Sequence, residues 1–188
     1  MENVYYCNGC NATTETKIIE KEQTLNVKGR SITLRAQVRV CAVCGEEILD
    51  EELDAKTLEM FYTQYRNLEN LLLPEEIKAI RKKYDLSQVS FSKLLGFGEK
   101  TITRYENGAI QDVCHDNLIR LMSSMDAFVA LWKERENCLS EKEQNHICSI
   151  VRTYNKTKIC STYNSAPIYH SSLQNVNLFY LGEMSYAG

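Results

Sequence analysis

LSQVSFSKLLGFGEKTITRYENGA, residues Leu86–Ala109, contains two short helices separated by a glycine turn. Ser87 is a natural N-cap, since its hydroxyl accepts from an otherwise unpaired first-turn N–H. The helix it opens is expected over Gln88–Leu95, with Val89, Leu94 and Leu95 as its apolar stripe. Gly96 falls where the chain must turn with positive φ, a conformation that a Cβ resists. A second helix is expected from near Gly98, with Ile102 and Tyr105 at i, i+3 on its inner face and Gly108 just past its end. That arrangement leaves Lys100, Thr101, Thr103 and Arg104 outward, near the helix N-terminus.

This outer face has the chemistry of base recognition. A helix-turn-helix reads the DNA major groove with the N-terminal half of its second helix. Arg pairs bidentately with guanine, Lys with guanine or phosphate, and Thr offers a hydroxyl or a methyl. The bland alternative is a solvated polar face on a small helical core. Around this stretch, Pro74 begins a helix expected to Tyr84 with Ile77 and Ile80 inward. A long apolar-faced helix is expected over His115–Arg135, and its surplus around Phe128–Trp132 suits either a dimer seam or packing against the C-terminal segment.

Upstream, Cys7-Asn8-Gly9-Cys10 and Cys41-Ala42-Val43-Cys44 are two C-x-x-C knuckles about thirty residues apart, the spacing of a zinc ribbon. Each tight turn fills two corners of a tetrahedron, and Gly9 and Gly45 ease the backbone where its amides approach the sulfurs. Four thiolates leave no open position for water, so the single Zn2+ expected per chain is structural. Iron or a redox dithiol is the alternative, although the βαβ setting of a redox pair is missing. Between the knuckles, Ile32, Leu34, Ala36, Val38 and Val40 alternate with polar residues, which is strand periodicity. Lys28-Gly29-Arg30 reads as a turn to an earlier strand around Gln23–Val27, and Ile18-Ile19 suggests a further one. A helix is expected over Glu51–Asn70, with Leu53, Leu58, Phe61, Tyr62, Tyr65 and Leu68 giving its period.

The fold class is therefore α+β: a small zinc-ribbon domain with a trailing helix (1–70), an all-α helix-turn-helix domain (71–135) and an unassigned extension (136–188). In 188 residues the formal charge is −3, which excludes a general basic nucleic-acid coat. The cations instead gather locally, as Lys78, Arg81, Lys82, Lys83, Lys93, Lys100 and Arg104, while acids crowd Glu46–Asp54. Eight cysteines without a signal peptide or a membrane-length apolar run suggest reduced thiols and a cytoplasmic chain. Cys114, Cys138, Cys148 and Cys160, with His115, His146 and His170, lack metal-ligand spacing. Nothing specifies an oxyanion hole or an orienting carboxylate, so no enzyme is expected. Ser140-Glu141-Lys142-Glu143 resembles a capping box for a short helix to about Arg152, and the Tyr-, Asn- and Ser-rich text from Thr153 shows no period.

The order CNGC, β-ribbon, CAVCGEEI, acidic helix and LSQVSFSKLLGFGEKTITRYENG resembles the MqsA/YgiT family of type II antitoxins over roughly Tyr6 to Trp132. The resemblance implies a zinc finger with ligands Cys7, Cys10, Cys41 and Cys44, fused to a lambda-repressor-like helix-turn-helix of the Xre/Cro class. It places the principal base-reading Arg on Arg104. It puts Lys100 where the best-known member has Asn, Thr101 and Thr103 beside them, and Gln88 at a backbone-contacting position. It further implies a homodimer on a palindromic double-stranded DNA operator, repression of its own operon, and a toxin, commonly an RNase, bound by the zinc domain. The alternative is a protein-interaction module whose zinc domain neutralises a toxin, using strand edges or the acidic Glu46–Asp54 run, with DNA binding secondary.

Overall fold

The computed structural model describes residues 3–163; the side chains of Glu136 and of residues 156–163 are not described. The chain divides into two compact units, Met1–Ile150 and Val151–Gly188. The tail beyond Tyr163, with His170, lies outside the described residues, as does the side chain of Cys160.

The first unit opens with a four-stranded antiparallel sheet in the order β1-β2-β3-β4: β1 Val4–Cys7, β2 Ala12–Val27, β3 Arg30–Cys41 and β4 Glu47–Ile48. β2 and β3 form one long hairpin, paired from Thr16↔Cys41 to Val27↔Arg30. The two segments expected around Ile18 and Gln23 are thus a single strand, and Ile18 and Ile19 lie exposed on it. Lys28 and Gly29 both have positive φ, which gives the two-residue turn the twist a hairpin needs. The alternation of β3 holds: Ile32, Ala36, Val38 and Val40 are buried between exposed or half-buried polar neighbours.

α1 (Glu51–Leu68) lies on β3 because Leu53, Thr57 and Phe61 form its buried stripe. Leu58 and Leu68, expected inward, are exposed. Asp50 caps α1, its Oδ1 accepting from the N–H groups of Glu52 and Leu53 at 3.1 Å, and its Oδ2 takes Arg39 Nε at 2.7 Å. One carboxylate therefore joins the sheet to the helix. The hydrogen bond from Arg39, then that from the Leu53 N–H, holds the Asp50 carboxyl below its ordinary value despite burial.

Five helices follow: α2 Pro74–Lys82, α3 Gln88–Leu95, α4 Thr101–Glu106, α5 Val113–Leu121 and α6 Met125–Arg135. Ile77, Tyr84, Phe91, Leu94, Ile102, Ile119 and Phe128 are completely buried among them. The stripe of α3 is Phe91, Leu94 and Leu95, whereas Val89 is 42% exposed. At ~100° per residue Val89 lies roughly 160° round from Phe91. The helix expected over His115–Arg135 is broken at Met122-Ser123-Ser124. The freed carbonyls are taken by distant side chains: Tyr84 Oη donates to Met122 O at 2.5 Å and Lys83 Nζ to Ser123 O at 2.6 Å. The break turns Phe128 onto Tyr84, the rings stacked 3.6 Å apart, and Trp132 is also buried. Those two residues are core, so they form no seam. α7 (Glu141–Tyr163) starts as the capping box predicts, with Glu143 Oε2 accepting from Ser140 N and Oγ. It runs eleven residues past Arg152, because extending a formed helix costs less than starting one.

The segment between α1 and α2 is pinned throughout. Leu71 and Leu72 are buried. Leu72 N donates to Asp116 Oδ1 at 2.8 Å, Gln111 Nε2 donates to Leu72 O at 2.6 Å, and Arg120 Nη2 to Asn70 O at 2.6 Å. Arg66, 2% exposed, sends Nη2 to Gly108 O (2.6 Å) and Ala109 O (3.1 Å). From the hairpin tip, Lys28 Nζ reaches Ile110 O and Gln111 O at 3.4 and 3.3 Å. Val27, Ile32 and Phe61 close an apolar cluster that includes Ile110. The ribbon and the loop after α4 thus share a core.

Candidate functional site

The cysteines that the sequence pairs are brought together. Cys7, Cys10, Cys41 and Cys44 place their sulfurs within 4.8 Å of one another. Cys7 and Cys44 are 3.4 Å apart and Cys10 and Cys41 3.8 Å. Sulfurs held at ~2.3 Å from one tetrahedral ion stand ~3.8 Å from each other, so the donor set fits a metal ion. Antiparallel pairing of β1 on β2 and β4 on β3 delivers the two knuckles to the same end of the sheet. Gly45 adopts φ 79°, which lets its N–H bond Cys41 O at 3.1 Å and close the second turn. Thr14 was not anticipated: its hydroxyl lies 3.2 Å from Cys41 Sγ, and Val43 N donates to the same sulfur at 3.4 Å. The Thr14 hydroxyl, then the N–H of Cys44, pulls the Cys41 thiol down to about 6, towards the thiolate a metal needs. Cys10, facing the Cys44 thiol, is pushed up to about 12. The signal for Thr14 was its place on β2 two residues before Thr16, the register partner of Cys41, visible only once the strand pairing is known.

The second group of residues lies on α3 and α4. Ser87 caps α3, its Oγ accepting from Ser90 N at 3.0 Å, and Gly96 ends it in the left-handed conformation at φ 77°. α4 starts at Thr101, since Gly98–Lys100 forms a turn that bonds Thr101 N to Gly98 O at 2.9 Å. Lys100 occupies the N-cap with no side-chain cap bond and is exposed. Thr101 is half-buried, Arg104 is exposed, and Ile102 behind them is fully buried. Gln88 and Thr103 meet, Thr103 Oγ1 donating to Gln88 Oε1 at 2.9 Å.

Beneath this face lies an ion pair that the sequence reading did not single out. Arg81 Nε and Nη2 grip the two oxygens of Glu106 at 2.6 and 2.8 Å, with Arg81 Nη1 on Leu86 O at 2.7 Å. Both side chains are nearly inaccessible. Burial opposes the charge on Glu106, but the hydrogen bonds from Arg81 and Gln88 overcome it and hold the carboxyl below its ordinary value. Only the Arg-Tyr-Glu text at the end of α4, twenty-five residues from Arg81, hinted at it.

The chain, a ribbon with four clustered thiols followed by a helix-turn-helix bundle, falls among the antitoxin components of bacterial toxin–antitoxin systems. The chain belongs to the MqsA family, described as the antitoxin component of a bacterial toxin–antitoxin system, whose model matches residues 5–135. It is similar to antitoxin MqsA of Escherichia coli strain K12, with 29% identity over 116 residues, covering 61% of this chain and 87% of that protein. Membership implies a toxin partner. Among the described residues no helix is long and apolar enough to cross a membrane.

Proposed function

We propose that the chain is a sequence-specific repressor that binds a palindromic operator as a homodimer, autoregulates a toxin–antitoxin operon and carries one structural Zn2+ on Cys7, Cys10, Cys41 and Cys44. The observation that carries the DNA reading is the short helix α4. It presents Lys100, Thr101 and Arg104 outward while Ile102 and the Arg81–Glu106 pair fix its back. Gln88 and Thr103 belong to the same face. The four sulfurs exclude water from a tetrahedral ion, which suits a structural zinc. In this reading residues 1–70 form the ribbon part, 71–135 the DNA-reading part and 136–188 an extension.

A second copy of the chain has a place to bind. α5 and α6 border an open groove of about 630 Å³ lined by Leu118, Leu121, Ala127, Ala130 and Leu131, with Leu121 58% exposed. Two copies meeting there would give the homodimer two α4 helices, and a palindromic operator offers two half-sites ~34 Å apart, one turn of DNA, for them to read. The toxin-masking reading is favoured by a different observation: Tyr6 and Val43, which flank the thiol cluster in the chain, are 56% and 76% exposed, and Leu49, just after β4, is 79% exposed. These apolar side chains offer a protein-binding surface at the metal end.

The experiment is fluorescence anisotropy on the DNA directly upstream of the gene, at two salt concentrations. Tight binding with a steep salt slope and poor competition by random DNA is the expected result. Weak, sequence-indifferent binding overturns the repressor reading and leaves the ribbon as the working part.

A further inference from the structure

The hydrogen bonds around Gln88 divide the polar face into residues that read and residues that hold. Glu106 is ionised and can only accept, so the Gln88 amide must turn its NH2 towards it; Nε2 donates to Glu106 Oε2 at 2.7 Å. That fixes the carbonyl end, Oε1, towards Thr103, whose hydroxyl must then donate. Both ends of the Gln88 amide are therefore engaged, and the single hydroxyl proton of Thr103 is spent. Glu106 is in turn clamped by Arg81, which also holds Leu86 O at the entry to α3. The result is one chain of hydrogen bonds, Arg81–Glu106–Gln88–Thr103, which ties the start of α3 to the middle of α4. Among the described residues Lys100 and Arg104 have no comparable engagement: Lys100 stands exposed at the N-cap of α4 and Arg104 exposed one turn on.

We infer that Thr103 and Gln88 are positioning residues, a brace setting the angle between α3 and α4, and that base discrimination falls to Lys100 and Arg104, flanked by Thr101. The inference rests on the DNA-reading function proposed above. A reader and a brace differ in what their loss does. Removing a reader relaxes preference at one base pair, whereas removing a brace weakens every contact of α4 together and leaves the order of preference intact.

The test uses the full chain, its upstream DNA, and a set of duplexes each changed at one operator base pair. Thr103→Val deletes the donated proton and keeps the side-chain shape. Loss of one hydrogen bond weakens binding roughly two- to tenfold, and the expected loss is the same for every duplex. Gln88→Leu is expected to act in the same uniform way, and Thr103→Val/Gln88→Leu to bind no more weakly than Gln88→Leu alone, since both variants remove the same bond. Arg104→Ala is the contrast, flattening the preference at one position. A change in preference at a single base pair in Thr103→Val, unchanged affinity for every duplex, or additive losses in the double variant would each overturn the brace. Wild-type protein that discriminates among none of the duplexes would remove the DNA-reading function itself, and the brace with it.

Discussion

Replacing Arg66 by Met should cost the protein more than a surface arginine would. The guanidinium is 2% exposed and makes its hydrogen bonds to backbone carbonyls, at 2.6 Å to Gly108 O and 3.1 Å to Ala109 O, with a longer 3.5 Å contact to Gln111 Oε1. Among the described residues no carboxylate stands within ion-pair distance of it, and burial pulls its pKa down. Two charge-assisted hydrogen bonds contribute about 3–6 kcal/mol before the desolvation of the guanidinium is set against them. Arg66→Met keeps most of the stem's packing but strands the two carbonyls, so a net loss of about 2–4 kcal/mol is expected. For a unit of this size that lowers Tm by roughly 5–15 °C. The assay is urea unfolding followed by far-UV circular dichroism, with Arg66→Lys beside it. Lysine returns the charge but cannot fork between two carbonyls, and is expected to recover less than half the loss. An Arg66→Met protein within about 0.5 kcal/mol of wild type, the scatter of ordinary surface changes, would refute the view that this arginine joins α1 to the loop after α4.

Three further outcomes are expected. The Glu106 carboxyl is held below its ordinary value of 4.5 in the folded protein, so its contribution is complete above about pH 4.5 and disappears as pH falls through the lowered value. Urea midpoints for Glu106→Gln should be lower at neutral pH yet fall less between pH 5 and 3; parallel profiles would remove Glu106 from the acid response. Leu121→Glu, which puts a charge in the α5–α6 groove, should shift sedimentation to the monomer and weaken operator binding without changing the circular dichroism. Chelation should melt the metal end of the sheet while α2–α6 keep their helical signal, because Ile77, Phe91, Ile102 and Ile119 are buried without help from the thiol cluster; loss of all helix on chelation would contradict this.

What could be read in advance is what depends on near neighbours. Ser87, Gly96 and the alternation from Ile32 to Val40 declare themselves through spacings of one to four residues, and each is found as expected. The two knuckles are legible because thiolate chemistry restricts their geometry so tightly. Val89 is apolar yet faces outward, because Phe91 and two buried serines fill the inner side of α3. The break at Met122–Ser124 was hidden because the Tyr84 and Lys83 side chains that satisfy its carbonyls lie about forty residues upstream. Thr14 against Cys41, Arg81 against Glu106 and Arg66 against Gly108 are likewise pairings set by the fold, and no local period announces them.

The contact of the hairpin tip with residues 110 and 111 has a consequence for synthesis on the ribosome. All four thiols have been made by residue 44, so a metal ion held by them could close one end of the ribbon while the rest of the chain is still being built. The other end must wait. Val27, Ile32 and Lys28 have no Ile110 or Gln111 to meet until some sixty-five further residues have emerged, on the order of three to thirteen seconds at ordinary elongation rates. Phe61 of α1 can cover Val27 and Ile32 earlier, but for the rest of that interval the hairpin tip lacks its Ile110 and Gln111 contacts, and a slowly translated stretch between Phe61 and Gln111 would lengthen its exposure to chaperones and proteases.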